Sequence, residues 1–362
     1  MKNSSRRKFI KNVGALFTIS VCSAGCSAGC SADNAPKKHV QKFILKPNFH
    51  GTKADALAMS IEQATALRDE IWKQYLNENR AIESRKISQQ GDGKWKIRML
   101  GTAAGTEPWY DHNHTSWILE KPTGELIWFD AGEYCSWTAG LMDLDITKST
   151  NIFISHPHGD HCCGLPALFS AIRKYYWVYK LKNKKQFKLT LHTPTKLLAD
   201  SATKMIWRES NPTGLTTNLV KQGEVFRDDD IIVDAIENRH MKPTKAGKCQ
   251  SFSYRIKIPS INKTIVFSGD IKNEDDLAPF FKDGNIDILM IETGHHKAEL
   301  LCQRIKQKYP NAVDDIMFVH HGIEILTNPE FEKVRADKAW GKPVIFSYDK
   351  QVFYMTGTGG HC

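Results

Sequence analysis

The sequence contains no Cys-x-x-Cys pair. Nine cysteines are present, but Cys22, Cys26 and Cys30 fall within the first 32 residues. The other six (Cys135, Cys162, Cys163, Cys249, Cys302 and Cys362) show no regular spacing. That excludes a structural zinc ribbon and a disulfide scaffold, and leaves these residues mostly as small buried hydrophobes. No Lys/Arg run interleaved with aromatics is visible, so no nucleic-acid stripe is indicated. No acid occurs in residues 1–32, and the apolar run there is far short of the ~20 residues that a membrane-spanning helix needs. No internal repeat is evident by eye.

What is present suits a folded protein. Apolar residues make up 41% and charged residues 25% of the 362, which excludes disorder throughout. Half of the formal charge of +10 comes from Lys2, Arg6, Arg7, Lys8 and Lys11, leaving +5 beyond residue 32. That mild excess suits a small anionic substrate and does not predict nucleic acid as a partner.

The N-terminus reads as an address. A basic stretch, a short weakly apolar run and small residues follow one another, which marks a targeting segment outside the fold. Ser5-Arg6-Arg7-Lys8-Phe9-Ile10-Lys11 resembles the twin-arginine export signal. The repeated Ser-Ala-Gly-Cys resembles a lipoprotein cleavage box, although Ser23 and Ser27 stand where leucine is preferred. The expected location is the periplasm or cell envelope. Membrane contact is expected only through a lipid on Cys26 or Cys30, the alternative being a plain small-residue cleavage site.

Residues 33–93 read as a tether followed by a helix. Leu57, Ile61, Ala64, Leu67, Ile71 and Tyr75 recur at three- and four-residue steps from Asp55 to Tyr75, and "SQQGDGK" then breaks the chain. From residue 94 the texture changes. "KWKIRML", "TSWILE", "ELIWFDAG", "NIFIS", "FKLTLHTP", "DIIVDAIEN", "SFSYRIKI", "TIVFSGD", "DILMIE", "DIMFVH" and "PVIFSYD" read as strands. "LPALFSAIRKYYW", "LLADSATKMIW" and "KAELLCQRIKQKY" read as helices between them. The expectation is one layered α/β domain over 94–362.

Within it, "SHPHGDHCC" (155–163) crowds three histidines and an aspartate into six positions. An extended backbone lets His156 and His158 point the same way, and Gly159 permits a tight path that turns Asp160 and His161 toward the same place. Imidazole and carboxylate groups at such spacing are ligands for zinc. Four are too few for two ions, but His240, Asp270 and His320 each arrive at the end of a predicted strand. His321 is the rival of His320, which directly follows "IMFV".

At this point the sequence resembles the metallo-β-lactamase superfamily, whose H-x-H-x-D-H signature is met by His156, His158, Asp160 and His161. The resemblance covers roughly 96–350. It implies a four-layer αββα sandwich and two divalent ions, zinc or manganese, as cofactors. His156, His158 and His240 would hold one ion, Asp160, His161 and His320 the other, and Asp270 would bridge them. "MLGTAAGTEP", "WFDAGE" with Asp130 supporting the metal loop, "LTLHTP" and "FSGD" resemble the ribonuclease Z-like and phosphodiesterase branch. The branch's His-Glu-Ala-Thr motif is incomplete: Ile291 replaces its histidine, although Glu292 and Thr293 match. No inserted basic arm is visible, and Asp270 argues against a β-lactamase.

The implied function is hydrolysis of a phosphodiester, a cyclic nucleotide included, by a hydroxide held between two ions. Asp160 is expected to orient the nucleophile, and His295 or His296 to act as general acid or touch the substrate. Glu292 is expected behind a ligand histidine. His112 and His114 are weak ligand candidates at the pocket rim, and Cys162 and Cys163 pack behind the ligand loop. The alternatives are a sulfatase, an ester or lactone hydrolase, and an exported binding protein with a structural metal site.

Overall fold

The computed structural model describes residues 49–89, 91–109, 111–179, 188–205 and 214–356. The chain divides between Ile44 and Leu45, and the first unit lies outside these residues, as do the expected export signal (1–32) and cleavage cysteines.

The single helix expected from Asp55 to Tyr75 is two helices, α1 (Lys53–Ala58) and α2 (Ile61–Gln89). Each has its own start. Thr52 and Asp55 exchange backbone and side-chain bonds ahead of α1, and Ser60 and Gln63 do so ahead of α2. Two capping boxes within twelve residues, Thr52 to Gln63, override the apolar periodicity. Leu57 and Ile61 stand exposed as a result.

Fourteen strands follow among the described residues. They are β1 (Trp95–Gly101), β2 (Ser116–Glu120), β3 (Leu126–Phe129), β4 (Ser149–Phe153), β5 (Leu189–Thr193), β6 (Leu215–Leu219), β7 (Gly223–Arg227), β8 (Ile232–Glu237), β9 (Phe252–Ile258), β10 (Lys263–Phe267), β11 (Ile286–Thr293), β12 (Val313–His321), β13 (Ile345–Phe346) and β14 (Val352–Met355). They form two seven-stranded sheets, ordered β14-β1-β2-β3-β4-β5-β6 and β13-β12-β11-β10-β9-β8-β7. Each is mixed, antiparallel toward one side and parallel toward the other.

Helices cover both outer faces. α3 (Cys135–Leu141), the single turn α4 (Gly159–Cys162), α5 (Leu165–Tyr179) and α6 (Lys196–Lys204) belong to the first sheet's side. α7 (Ala278–Asp283), α8 (Ala298–Lys308), α9 (Ile323–Thr327) and α10 (Pro329–Trp340) belong to the second's.

The strands are apolar on both faces because both are covered. In β3, Ile127 and Phe129 enter the core between the sheets, and Leu126 and Trp128 face the helices. In β12, Met317 and Val319 point inward, and Ile316 and Phe318 outward. Trp117, Phe129 and Phe153 stack in series at the centre, with centroids 4.3 and 5.2 Å apart. The fold is therefore the four-layer αββα sandwich expected from the sequence. β6, β7, β14, α3 and α10 were not anticipated; β6 and β7 lie largely exposed and lack an apolar pattern.

Candidate metal centre

The residues singled out in the sequence converge where strands of both sheets end. After β4 the chain bends at Ser155 and Pro157 and brings His156 Nε2 within 3.0 Å of His158 Nδ1; His158 then caps α4, which carries Asp160 and His161. From the second sheet, His240 follows β8, Asp270 follows β10 and His320 is the second-to-last residue of β12. Opposite β12, Glu292 pairs with Val319 and Thr293 with His321, so His320 is the extra residue of a β-bulge. Its φ is +48°, a left-handed conformation that aims the ring inward. Gly294 faces that ring so closely that a Cβ there would lie 2.5 Å from His320 Nδ1.

His156 Nε2 is 3.0 Å from His158 Nδ1, which is 3.2 Å from His240 Nε2. Asp270 Oδ2 lies 3.6 Å from both His156 Nε2 and His240 Nε2. Its other oxygen, Oδ1, is 3.2 Å from His161 Nε2 and 3.4 Å from His320 Nε2. Asp160 Oδ2 is 3.2 Å from His320 Nε2 and accepts the Gly105 N–H at 2.9 Å.

Three overlapping groups result, each with ligand atoms within 4.8 Å of one another. They are His156, His158, His240 and Asp270; Asp160, His161 and His320; and Asp270, Glu292, His295 and His320.

The donor set fits a divalent ion. Nitrogens bound tetrahedrally at zinc's ~2.0–2.1 Å stand about 3.3 Å apart, close to the spacing of these imidazoles. His161 Nε2 and Asp270 Oδ1 are buried and lie 3.2 Å apart, and neither makes a well-aligned hydrogen bond among the described residues. Buried polar atoms are ordinarily paired.

Electrostatics reflects the same crowding. Burial and four neighbouring imidazoles hold the His156 pKa well below its ordinary value. Burial opposes charge on His161 too, but Asp270 and Asp130 outweigh it and hold that pKa well above. Burial likewise works against the Asp160 carboxylate, yet its His320 contact and His161 keep it well below the usual range.

A supporting layer holds the ligands. Asp130 follows β3 at φ +57° and accepts from the Ser155 N–H at 2.7 Å and the Ser155 hydroxyl at 2.8 Å. Its Oδ2 lies 2.7 Å from His161 Nδ1. Glu292, fully buried, accepts from the Ile271 and His295 amides and contacts His295 Nδ1 at 3.1 Å. Its Oε2 stands 3.7 Å from His320 Nδ1.

The remaining sequence candidates separate clearly. His295 is half-exposed with its ring 5.0 Å from that of His240, and Glu292 raises its pKa. His296 turns Nε2 to the Ile271 carbonyl at 3.0 Å instead. His321 is spent elsewhere, with Nε2 on the Ser347 carbonyl at 2.7 Å and Nδ1 3.1 Å from Thr293 Oγ1. His112 lies beside Thr102 and Asp349, and His114 beside the Glu107 carbonyl; neither joins the cluster. Cys162 donates to the His158 carbonyl, and burial pushes its thiol up to about 12. Among the described residues the cysteines are free. The Ser155 and Gly105 contacts were not foreseen, although both residues lie in stretches quoted from the sequence.

The family described as Anti-Pycsar protein Apyc1 matches residues 95–321, more than half of the chain. The chain belongs to that family. Ribonuclease Z of Methanothermobacter thermautotrophicus is 38% identical over 77 residues, which is 21% of this chain and 24% of that protein. Ribonuclease Z of Methanococcus maripaludis strain C6 is 42% identical over a segment of the same length. The chain thus spans about a quarter of the length of the curated relatives it matches.

Among solved structures, the metallo-β-lactamase fold protein YhfI from Bacillus subtilis superposes with a TM-score of 0.55 at 16% identity, over 72% of this chain and 99% of that one. Unliganded yeast PDE1 gives 0.54 at 14%, over 72% and 99%. Human tRNase Z, short form, gives 0.50 at 18%, over 71% and 98%. These likenesses establish the metallo-β-lactamase fold. Relatives named as ribonucleases sit against the expectation that nucleic acid is no partner.

Proposed function

We propose that the chain is a metal-dependent hydrolase of phosphodiesters, cyclic nucleotides among them, working through two divalent ions. The observation that carries this is Asp270, one of whose oxygens faces His156 and His240 while the other faces His161 and His320. A carboxylate so placed serves two neighbouring positions at once. His156, His158 and His240 would hold the first ion, and Asp160, His161 and His320 the second. The imidazole-rich set favours zinc. Such ions supply Lewis acidity and lower the pKa of water.

The chain's own residues do the rest. Gly105 and His320 fix Asp160 so that its carboxylate orients the attacking oxygen. Asp130 and Ser155 hold His161 and the ligand loop in register. His295, partly open to solvent and with its pKa raised by its Glu292 contact, gives a proton to the leaving group. His296 supports that loop through Ile271.

The proposal extends to the N-terminus. Residues 1–32 are an export signal, 33–93 a tether and helical extension, and 94–362 the hydrolase. The mature protein works in the periplasm or cell envelope, anchored by a lipid on Cys26 or Cys30. Support comes from Arg6, Arg7 and the Ser-Ala-Gly-Cys repeat. Cell fractionation with and without Arg6→Lys/Arg7→Lys tests it; a protein equally cytoplasmic in both would end the export proposal.

The function is tested by metal content and turnover measured together. Bis-p-nitrophenyl phosphate, cyclic AMP, a short RNA and p-nitrophenyl sulfate serve as substrates, with His158→Ala as control. Two ions per chain and metal-dependent phosphodiester turnover are expected. Turnover of the sulfate alone would overturn the phosphodiester assignment, and a metal-free chain after reconstitution would overturn the centre.

A further inference from the structure

His240 and Asp270 follow strands that are not neighbours. In the second sheet β9 lies between β8 and β10, so no ladder bond joins the two loops that carry them. Strands two places apart are about 10 Å from each other. Yet His240 Nε2 stands 3.6 Å from Asp270 Oδ2, so two separate loops are held to a short spacing. A buried chain of hydrogen bonds crosses β9 toward them. Asn238 Nδ2 donates to Ser253 Oγ at 3.1 Å, and that hydroxyl donates to the Ser268 carbonyl at 2.5 Å. The chain ends two residues short of His240 on one side and of Asp270 on the other.

Asp276 joins the loops themselves. Its Oδ2 accepts the Arg239 N–H at 3.2 Å, one residue before His240, and the Lys272 N–H at 2.8 Å, two residues after Asp270. One carboxylate oxygen thus ties both ligand loops together. Its Oδ1 accepts from the Arg239 guanidinium, whose Nη2 also donates to the Asn273 side-chain oxygen at 2.8 Å. The Asp276 side chain is only 2% exposed. The turn that carries it is anchored at both ends. In "NEDDLAPFF" (273–281) the Asn273 side chain accepts the Asp275 N–H at 3.2 Å, and Leu277, Phe280 and Phe281 are buried in the outer core. Glu292 holds the Asp270 loop separately, by accepting the Ile271 N–H at 3.0 Å.

We propose that Asp276 is a positioning residue of the metal centre, setting the separation of His240 and Asp270 and through it the fit of the first ion. It acts through two backbone amides, one in each ligand loop. The proposal rests on the two-ion reading of the cluster and is independent of which substrate that centre takes. Carboxylates that orient ligands from outside are worth about 10–100-fold in metal affinity. Asp276 stands one bond further out, so the lower end of that range is expected. The ligands of the second ion other than Asp270 lie on α4 and β12, and among the described residues Asp276 bonds to neither element. The effect therefore falls on the first ion more than on the second.

Stepwise chelator competition on the full chain, loaded with zinc, reads the two ion affinities. The visible spectrum of the cobalt-loaded protein reads ligand geometry. Asp276→Asn is expected to weaken the first ion about tenfold, to leave the second within about threefold, and to shift the cobalt bands. Asp276→Glu keeps the charge but moves the carboxylate by one methylene, and is expected to weaken the first ion as well; it carries the test if Asp276→Asn does not fold. Arg239→Ala removes the guanidinium but keeps the amide, and is expected to bind both ions within about threefold of wild type. Lys308→Gln loosens the same turn through Glu274 and Asp275, and is expected to lower Tm without changing either affinity. Wild-type affinity for the first ion in either Asp276 variant would overturn the positioning role. So would equal weakening of both ions, or a loss in Arg239→Ala or Lys308→Gln as large as in Asp276→Asn. Failure of the two-ion reading shows separately, as a wild type that takes up fewer than two ions.

Discussion

Asp130 Oδ2 stands 2.7 Å from His161 Nδ1, with both residues fully buried and Asp130 held at φ +57°. The contact fixes which His161 nitrogen is left to face the centre and raises its basicity. Partners of this kind are worth about 10–100-fold in metal affinity. Asp130→Asn is therefore expected to weaken binding of the second ion by about that factor while leaving the first site close to wild type. Competition against a chelator reads both steps. Unchanged affinity at both would mean that Asp130 acts on the fold alone.

The adjacent histidines of β12 separate ligand from scaffold. His320→Ala is expected to lose one ion per chain, because His320 Nε2 faces both Asp160 and Asp270. His321→Ala keeps both ions and lowers stability by about 2–4 kcal/mol, since it empties a buried volume and strands Thr293 and Ser347. Metal analysis and denaturant unfolding on both variants check this. The opposite pattern would exchange the roles.

Chelation itself should destabilise the protein. Each ion bound only by the folded chain contributes about 2.7 kcal/mol when free metal exceeds its Kd a hundredfold. Chelator is expected to lower Tm by several degrees, and zinc in excess of chelator to restore it. A Tm indifferent to chelator in metal-loaded protein would mean that the cluster holds no ion that matters to folding.

Much of this was legible in the sequence, for a physical reason. Strands covered on both faces read as apolar runs, and loops bearing His and Asp directly after such runs could only meet at one edge. "NIFIS" before His156 and "IMFV" before His320 carried that information. The bulge that re-aims His320 was not legible, because it is a mismatch between two strands far apart in sequence. The split between α1 and α2 was, in principle, since Thr52-x-x-Asp55 and Ser60-x-x-Gln63 are both visible. There the two caps outweigh the apolar stripe. The roles of His295 and His296 depend on how one short turn follows β11, which spacing does not fix.

Away from the centre, a buried charge cluster on β1 and β2 gives a test independent of metal. Glu120 is fully buried and accepts from Lys96 at 3.1 Å and from Arg98. Lys96 is itself only 1% exposed, and its other carboxylate is Asp92 at 2.9 Å. Removing one member of such a set leaves uncompensated charge in the interior. Glu120→Gln is expected to cost about 3–5 kcal/mol in denaturant unfolding with metal content intact. A cost under about 1 kcal/mol would show that solvent reaches Lys96 and Arg98 freely.

His192 sets an acid limit on the fold. Its ring stacks on Phe153 at 4.1 Å, and its Nε2 stands 3.0 Å from Asn151 Oδ1, leaving Nδ1 buried without a partner among the described residues. Burial lowers its pKa from 6.5 to about 4. The unfolded chain therefore takes up this proton near pH 6.5 and the folded chain only near 4. The stabilisation is complete above 6.5, declines as pH falls through that window, and is gone below about 4. At pH 5 the loss attributable to this group is about 2 kcal/mol. His192→Gln has no group that titrates there. Its stability at pH 7 is expected to be lower than wild type, and its decline between pH 7 and 5 smaller by about 2 kcal/mol. Denaturant unfolding of both chelated proteins at the two pH values measures the difference. Equal declines would mean that His192 accepts its proton in the folded core, with a water or a shifted Asn151 partnering Nδ1.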